Sequence, residues 1–376
     1  MNKVRVLHCA DLHFDTPFKE LDKDISDISK EELLEVFKNI IDLCIKEKVE
    51  VLLIAGDVFD NLTVNKSTLF FISEQINRIK HIKVFISPGN HDPYNNLSFY
   101  KMINWPDNVY IFKGDMESKE VENLNLLVWG AGFKSNYQDN TLIKENFIDK
   151  SKINIMIIHG EIAGGNSINK YNPIYENDIY NSNIDYLALG HRHTFSGFIK
   201  RGKTTYAYSG CPQGRGFDEE GEKGVIIGDV YVGGTNLKFY PICKRRYITK
   251  EINITGSNTY DDIINIIINK LDKDLIDENF YKIILTGELR EDFYINENII
   301  KERLKDKFYY IKVINNTSIY IDLDEVSSDY SIKGKFVAKI LGRLKNAEGE
   351  DREVLKLALK LGIQSLSKEE VNLNDY

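Results

Sequence analysis

Short apolar segments that end in glycine and a polar residue recur along the first two thirds of this chain. VRVLHCA, EVLLIAG and KVFISPG alternate with two predicted helices, at about residues 30–48 and 66–79. Such alternation is typical of a sheet covered by helices. Later strand-like segments follow one another with fewer helices between them: LNLLVWGAGF, INIMIIHGE, IDYLALGH, TTYAYSG and KGVIIGDVY. The pattern predicts an α/β fold in which mixed sheets pack as a sandwich with helices outside.

The length of 376 residues is too great for one ordinary core and predicts more than one domain. Residues 247–320 alternate strand and helix in an α+β pattern of their own, and residues 329–366 contain two amphipathic helical patterns. We therefore expect three parts: a domain over 1–243, a small α+β domain over 244–325 and a C-terminal helical segment over 326–376. The C-terminal helices either pack back on the chain or bind a partner protein.

Composition excludes several classes of protein. No apolar run approaches the ~20 residues that cross a bilayer. The opening MNKVRVLHCADLH enters a strand-like pattern without a secretory signal. These features predict a cytoplasmic protein without a membrane partner. The four cysteines lack CxxC spacing, which argues against a disulfide framework or a thiolate zinc site.

The net charge of −8 argues against a uniformly basic surface for nucleic acid. Local basic faces remain compatible with it. The clusters at residues 200–203 and 244–246 either contact phosphates or form solvated turns.

Carboxylate, amide and imidazole side chains follow five of the predicted strands. If the segment that carries Asp11 and His13 is extended, alternation puts both on the same side, and we expect their side chains to converge. The other four strand ends carry GDVFD, GNHD, HG and GHRH. Four of the seven histidines fall in these four motifs, and His13 is a fifth at a strand end. Mixed oxygen and nitrogen donors without thiolate select manganese, iron or zinc. The clustering predicts a metal centre at one rim of the sandwich.

The ordered set DxH, GDxxD, GNHD, HG and GHRH, over residues 11–193, resembles the signature motifs of the calcineurin-like metallophosphoesterases. The resemblance implies a four-layer sandwich and two divalent ions, manganese first and iron or zinc as alternatives. Two such ions can activate water for in-line attack on phosphorus. It implies the following ligand roles: Asp57 as the bridge, Asp11, His13 and His193 at one ion, and Asn90, His159 and His191 at the other.

The resemblance also implies three catalytic residues. His91 has the position of the family's catalytic histidine, which neutralises transition-state charge or protonates the leaving oxygen. Asp92 is expected to orient it. Asp60 stands where some members carry a histidine, and we expect it to act beside His91.

A finer resemblance, over about residues 3–230, is to the bacterial SbcD-type DNA repair exonucleases. It is carried by HCADLHFDTPF, LIAGDVFD, SPGNHDPY, LALGHRH and YSGCPQGRGFDEEGEKGVIIGDV. It implies a manganese-dependent DNA exonuclease or endonuclease with a capping domain after residue 243. It also implies C-terminal helices that bind an SbcC-type coiled-coil ATPase. Arg215 is expected to contact substrate phosphate, or else to pair with Asp218 or Glu219.

Two other functions remain open. The second hypothesis is a phosphatase or cyclic-nucleotide phosphodiesterase, because the same core serves these enzymes. The third hypothesis is a structural subunit that tethers an ATPase to DNA. The sequence also leaves open whether the chain forms a homodimer. Phe70, Phe71, Phe99 and Tyr100 either form its interface or pack in the core.

Overall fold

The structure is a computed structural model that describes residues 2–60, 64–144, 148–163, 170–272, 275–290, 293–320 and 323–366. The first elements in chain order are β1 (Lys3–Cys9), α1 (Lys23–Lys46), β2 (Val51–Ile54), α2 (Lys66–Asn77), β3 (Lys83–Ile86), β4 (Val109–Ile111), β5 (Glu117–Val121), β6 (Leu126–Gly130), β7 (Ile153–His159), β8 (Glu161–Ile162), β9 (Pro173–Ile174), α3 (Glu176–Ser182), β10 (Tyr186–Gly190), β11 (Ile199–Arg201), β12 (Thr204–Tyr208), β13 (Gly224–Tyr231) and β14 (Gly234–Pro241). They are followed by β15 (Tyr247–Asn253), α4 (Tyr260–Lys270), β16 (Phe280–Thr286), β17 (Glu288–Leu289), α5 (Glu297–Leu304), β18 (Tyr310–Asn315), β19 (Ser318–Ile319), α6 (Leu323–Ser328), α7 (Ile332–Leu344) and α8 (Gly349–Leu366).

Two six-stranded mixed sheets form the main architecture. The first has the order β14-β13-β1-β2-β3-β4 and the second β11-β12-β10-β7-β6-β5. Strands β1 to β4 run parallel, as do β6, β7, β10 and β12. Because parallel strands end at the same edge, the segments after β1, β2, β3, β7 and β10 can meet at one rim.

Alternation along the strands produces separate cores on the two faces of each sheet. In the first sheet Leu7 and Leu52 pack toward helices α1 and α2. Val6, Val51 and Leu53 instead pack against the second sheet. The far face of the second sheet carries its own cluster with α3: Met156, Ile158, Leu187, Leu189 and Ile179. Helices, two sheets and a further helix stack in four layers, which confirms the predicted fold class.

Helix α1 begins earlier than the sequence pattern predicts. The periodicity indicates a start near residue 30, whereas the helix starts at Lys23. Its first turns contain the polar run KDISDIS, which resembles a loop in the sequence. Ser26 and Ser29 are nevertheless buried, and the Ser26 hydroxyl donates to the Pro17 carbonyl at 3.2 Å. Tertiary packing therefore extends this helix.

The chain divides into two compact units. The first comprises Met1–Thr249 with Asp277–Lys282, and the second comprises Lys250–Ile276 with Ile283–Tyr376. The second unit contains α4, α5, β18 and the larger part of β15 and β16, whose strand order is β15-β16-β18. Its buried apolar side chains include Ile252, Ile263, Ile267, Ile283, Leu285, Ile300 and Leu304.

Helices α7 and α8 pack on each other through Val337, Ile340, Leu359 and Ile363. Both lie in the second unit. Residues 367–376 of the predicted C-terminal segment lie outside the described residues. No helix within the described part of the chain combines the length and apolar character needed to span a membrane.

The four aromatic residues considered for a dimer interface have different environments. Tyr100 is buried, and Phe71 and Phe99 pack partly buried against the first core. Phe70 is 73% exposed. Core packing thus accounts for three of them and leaves Phe70 at the surface.

Candidate metal centre

The loops after β1 and β2 lie side by side and deliver the first donors. The Asp11 amide donates to the Gly56 carbonyl at 3.0 Å, and the His13 amide donates to the Asp57 carbonyl at 2.9 Å. Asp11, His13 and Asp57 all have positive φ, at 54°, 45° and 50°. This conformation is uncommon for residues other than glycine, and such strain concentrates at functional sites.

Two glycines allow close approach at the rim. A Cβ atom on Gly56, whose φ is +92°, would collide with the His159 ring. A Cβ on Gly89 would collide with the Asp57 carboxylate. The glycines that precede the predicted ligands therefore make room for side chains from neighbouring strands.

The predicted ligands gather around Asp57. Its Oδ2 lies 3.6 Å from His13 Nε2 and 3.4 Å from His159 Nε2. Among the described residues, Asp11, His13 and His193 form one group with convergent donor atoms, and Asp11, Asp57 and His159 form another. We call Asp11, His13, Asp57 and His193 the first site, and Asp57, Asn90, His159 and His191 the second site.

His191 is less tightly grouped than the other predicted ligands. Its main-chain N–H donates to both Asp11 carboxylate oxygens, at 3.2 and 3.1 Å. Its ring lies edge-on to the His159 ring, with centroids 5.2 Å apart. Its φ of 112° is again unusual. The structure thus places the His191 ring beside His159 in the second site, with the His191 amide holding Asp11.

The donor chemistry at the second site fits a cation. His159 Nδ1 lies 3.0 Å from the Ala55 carbonyl, which can only accept, so this nitrogen carries the proton. Burial lowers the pKa of His159 to about 4, which keeps the ring neutral at pH 7. Its unprotonated Nε2 then faces Asn90 Oδ1 at 3.0 Å and Asp57 Oδ2 at 3.4 Å. Three converging acceptors are stabilised by a metal ion between them.

The donor atoms of the first site also fit a cation. His13 Nδ1 lies 3.0 Å from Asp60 Oδ1, and the buried His13 Nε2 has no hydrogen-bond partner in the described part of the chain. Burial raises the pKa of Asp11 to about 7 and raises that of Asp57 as well. Buried carboxylates and an orphaned imidazole nitrogen are what a divalent ion would satisfy.

His91 is oriented by the main chain. Its Nδ1 lies 2.9 Å from the Asp60 carbonyl, and 44% of its side chain is exposed. This hydrogen bond directs Nε2 away from Asp60. The Asp60 carboxylate contacts His13, with His91 Nδ1 at 4.0 Å from it. Asp60 therefore contacts the His13 ring and, with His13 and His91, forms a third group of convergent donor atoms among the described residues. Its expected action beside His91 stays a prediction.

Asp92 lies elsewhere than the expected orienting position. Its carboxylate accepts hydrogen bonds from the amides of Val58, Phe59 and Gly89, and from the Tyr100 hydroxyl at 2.6 Å. Burial raises its pKa to about 6. Asp92 thus ties the loop after β2 to the loop after β3, and the hydrogen bond that orients His91 is donated by its own Nδ1 to the Asp60 carbonyl.

Arg215 belongs to an internal network. Its guanidinium lies 2.6 Å from Glu219 Oε1 and 3.2 Å from Asp60 Oδ1, and only 14% of its side chain is exposed. Glu219 Oε1 in turn lies 2.7 Å from His193 Nδ1. Of the two expectations for Arg215, the structure shows the pairing with Glu219. Both side chains of this pair are largely buried. We call Asp60, Arg215 and Glu219 the carboxylate network.

The carboxylate network polarises His193. Burial acts to raise the pKa of Glu219, but the hydrogen bond from His193 and the charge of Arg215 hold it well below its usual range. Burial also acts to lower the pKa of His193, but the hydrogen bond to Glu219 and the charge of Asp11 outweigh it and raise that pKa. An anion behind an imidazole strengthens the ring as a ligand.

The segment from Cys211 to Lys223 supports the main chain of His193 as well. The buried Lys223 ammonium donates to the His193 carbonyl at 2.8 Å, and the Cys211 amide donates to it at 3.3 Å. Lys223 was not singled out from the sequence, and Glu219 was considered there only as a partner of Arg215. The one available signal is the spacing of four residues between Arg215 and Glu219.

The two basic clusters are paired with carboxylates. Arg201 contacts Glu176 at 2.9 Å, and Lys244 contacts Glu35 at 2.9 Å. Arg245 contacts Glu32 at 2.8 Å. For the paired residues, these contacts favour surface turns over phosphate contacts.

A family model of the calcineurin-like phosphoesterases matches residues 4–195. The uncharacterized metallophosphoesterase YhaO of Bacillus subtilis is 28% identical over 249 residues, which cover 64% of this chain and 60% of YhaO. The chain thus spans less than two thirds of that relative's length.

Two archaeal relatives match over more of the chain. The DNA double-strand break repair protein Mre11 of Saccharolobus solfataricus is 25% identical over 406 residues, covering 94% of this chain and 98% of the relative. The protein of the same name from Sulfurisphaera tokodaii is 23% identical over 407 residues, covering 98% and 100%. Since the family model spans just over half of the residues, including every predicted metal ligand, the chain belongs to the calcineurin-like phosphoesterase family.

Proposed function

We propose that this protein is a manganese-dependent nuclease that hydrolyses phosphodiester bonds of DNA in repair. The observation that carries the proposal is the convergence of acceptor atoms around Asp57. His159 Nε2 and His13 Nε2 both face this carboxylate, and Asn90 Oδ1 lies beside His159 Nε2. Among the described residues, His13 Nε2 has no hydrogen-bond partner. Oxygen and nitrogen donors in this arrangement suit two hard or borderline divalent ions.

In this proposal Asp57 is shared, with Asp11, His13 and His193 completing the first site and Asn90, His159 and His191 the second. When bound, the ions supply Lewis-acid chemistry that activates water and stabilises charge on the phosphoryl group. Asp11 and Asp57 balance the charge of the ions. Asp60 and Glu219 hold the rings of His13 and His193 so that each directs Nε2 inward.

His91 is the proposed acid. The Asp60 carbonyl fixes Nδ1, so the half-exposed ring presents Nε2 toward solvent and substrate. From there Nε2 can donate a proton to the leaving oxygen or neutralise transition-state charge.

DNA is favoured over a small phosphoester by the extent of the similarity. The relatives named as DNA double-strand break repair proteins align over 94% and 98% of this chain, so the alignments include its second unit. A phosphatase or cyclic-nucleotide phosphodiesterase on the same core needs only the first unit. We accordingly assign the proposed capping role to residues 244–325.

The proposed protein partner is an SbcC-type ATPase, bound through the C-terminal helices. Helices α7 and α8 bury one apolar face against each other. They leave Ile332, Val354 and Leu357 exposed at 76%, 60% and 40%. Exposed apolar residues on amphipathic helices suit a helical partner. A homodimer through the surface around Phe70 is a further part of the proposal.

The test is cleavage of end-labelled single-stranded and duplex DNA by the full chain with manganese. We expect shortening of the labelled strand. The His91→Ala variant should bind manganese with unchanged stoichiometry while its cleavage rate falls by about 10²- to 10⁴-fold, the usual contribution of a general acid.

The matched control is His81→Ala, since His81 is exposed and lies outside the rim. It should cleave DNA at the wild-type rate. Hydrolysis of small phosphodiesters without any cleavage of DNA would transfer the assignment to a phosphatase or cyclic-nucleotide phosphodiesterase. Manganese binding without hydrolysis of either would point to the structural subunit.

A further inference from the structure

Two tyrosines extend the second site toward solvent. The Tyr171 ring lies 5.2 Å from the His191 ring with an interplanar angle of 34°. The Tyr137 ring lies 6.0 Å from Tyr171 at 37°. Rings at these separations are in contact. A continuous run of rings therefore leads from a predicted metal ligand to Tyr137, which is 59% exposed.

Hydrogen bonds fix both tyrosines relative to the metal centre. The Gln138 amide donates to the Lys170 carbonyl at 2.8 Å, and the Asn172 amide donates to the Gln138 carbonyl at 2.8 Å. These two bonds join the segments that carry Tyr137 and Tyr171.

Side-chain amides connect the same segments to the predicted ligands. Asn136 Nδ2 donates to the Asn90 carbonyl, and Asn172 Nδ2 donates to the His159 carbonyl, each at 2.8 Å. The rings are therefore positioned by the backbone of two ligands of the second site. Such support is what a substrate subsite requires.

One cationic side chain lies beside the Tyr137 ring, and a second lies over the buried ring of Tyr208. The exposed Lys170 ammonium lies 5.8 Å from the centre of the Tyr137 ring. Arg192, between the two ligand histidines of the GHRH motif, is also exposed and lies over the Tyr208 ring at 5.4 Å. Aromatic faces interleaved with cations are the usual surface for unstacked nucleic acid, since bases stack on the rings and cations meet the phosphates.

We propose that Tyr137 and Tyr171 form a stacking subsite for a nucleobase of the substrate strand, next to the phosphodiester held at the metal centre. This inference rests on the proposed nuclease function and specifies its substrate as a strand whose base is unstacked near the cleaved bond. Lys170 contributes a phosphate contact on the outer side of the subsite. Because any base has an aromatic face, the subsite selects nucleic acid without selecting sequence.

The test compares two single-stranded oligonucleotides that are alike except for their terminal residues. Each is incubated with the protein in the presence of manganese. One carries ordinary bases, and the other carries abasic tetrahydrofuran residues over its last three positions. Wild-type protein should bind and cleave the first about 5- to 150-fold better, the range that one base–aromatic stack contributes. In Tyr137→Leu/Tyr171→Leu this preference should disappear, because without the two rings neither strand gains a stacking contact.

Two further variants control the comparison. Tyr171→Phe retains the ring and should keep the preference, whereas Tyr180→Leu removes a 60% exposed tyrosine from α3 and should leave it unchanged. The ratio between the two strands is measured within each variant, so a partial loss of folded protein cancels.

The outcomes separate the two proposals. If wild-type protein cleaves DNA but the double leucine variant still prefers bases over abasic residues, the stacking subsite is wrong and the nuclease assignment stands. If wild-type protein neither binds nor cleaves either strand, the nuclease assignment fails and the subsite fails with it.

Discussion

The two sites of the metal centre hold their imidazoles in different ways. In the first site, His13 and His193 place Nδ1 against carboxylates, Asp60 at 3.0 Å and Glu219 at 2.7 Å. Arg215 contacts both of these carboxylates. In the second site, His159 places Nδ1 against the neutral Ala55 carbonyl at 3.0 Å.

This difference bears on metal affinity. A carboxylate raises the basicity of the imidazole it holds, and loss of such a partner typically weakens metal binding 10- to 100-fold. A main-chain carbonyl orients the ring with less electronic effect. We therefore expect the first site to fill at lower manganese concentration than the second.

The largest expected effect comes from the residue that both sites share. Asp57→Asn removes the charge between His13 Nε2 and His159 Nε2, so neither site should retain its ion. Calorimetric titration with manganese should show loss of both binding steps, and DNA cleavage should fall by about 10³-fold. Retention of one tight step would show that the two sites do not share this carboxylate.

A change confined to the second site comes next. Gly56→Ala introduces a Cβ against the His159 ring and should displace it, at a cost of about 10²-fold in activity. Anomalous diffraction from a manganese-soaked crystal should show the first site filled and the second depleted. Gly197→Ala is the matched control, since Gly197 also has positive φ but open space around it. Equal loss of both ions in Gly56→Ala would contradict the separation of the sites.

The first site is tested through its supporting carboxylate. Glu219→Gln keeps the shape of the side chain but removes the charge behind His193, so we expect a 10- to 100-fold loss of manganese affinity at the first site. The second binding step should remain. Asp218→Asn, an exposed change one residue earlier, should leave both steps intact. Unchanged titration of Glu219→Gln would show that the carboxylate network does not tune metal binding.

The smallest expected effect is a loss of folding stability at low pH that arises from His8. His8 is fully buried between the sheets, and burial lowers its pKa to about 3. The unfolded chain binds a proton there below its ordinary pKa of about 6.5, so stability is complete above pH 6.5 and falls as the pH drops toward 3. The loss at pH 5 is about 2 kcal/mol.

His8→Asn removes this contribution. Without metal, its free energy of unfolding should depend less on pH between 6.5 and 5 than that of the wild type, as measured by urea denaturation. The exposed His81→Asn should show the wild-type slope. Parallel slopes for wild type and His8→Asn would mean that His8 is not the group that titrates.

The sequence predicted much of the fold because its main signals are local. Apolar strands, helical periodicity and terminal glycines lie within a few residues of one another, and the four-layer α/β architecture follows from them. The start of α1 is an exception. Its polar first turn is helical because Ser26 and Ser29 are buried by residues distant in the chain.

The ligand candidates were visible for the same reason. Asp11, His13, Asp57 and Asn90 each follow a strand of a parallel set, and parallel strands bring their ends to one edge. Roles that depend on contacts across the chain were not visible. Asp60 supports His13, and Arg215 reaches Asp60 across 155 positions of sequence.

By itself, the amino-acid sequence determined which elements form and which donor residues stand at their ends, since both depend on neighbours along the chain. The tertiary structure decided which nitrogen of each imidazole faces inward, which carboxylates support the rings, and which tyrosines lie beside His191. Those choices depend on hydrogen bonds and ring contacts between strand-end loops far apart in sequence, and no local pattern encodes them.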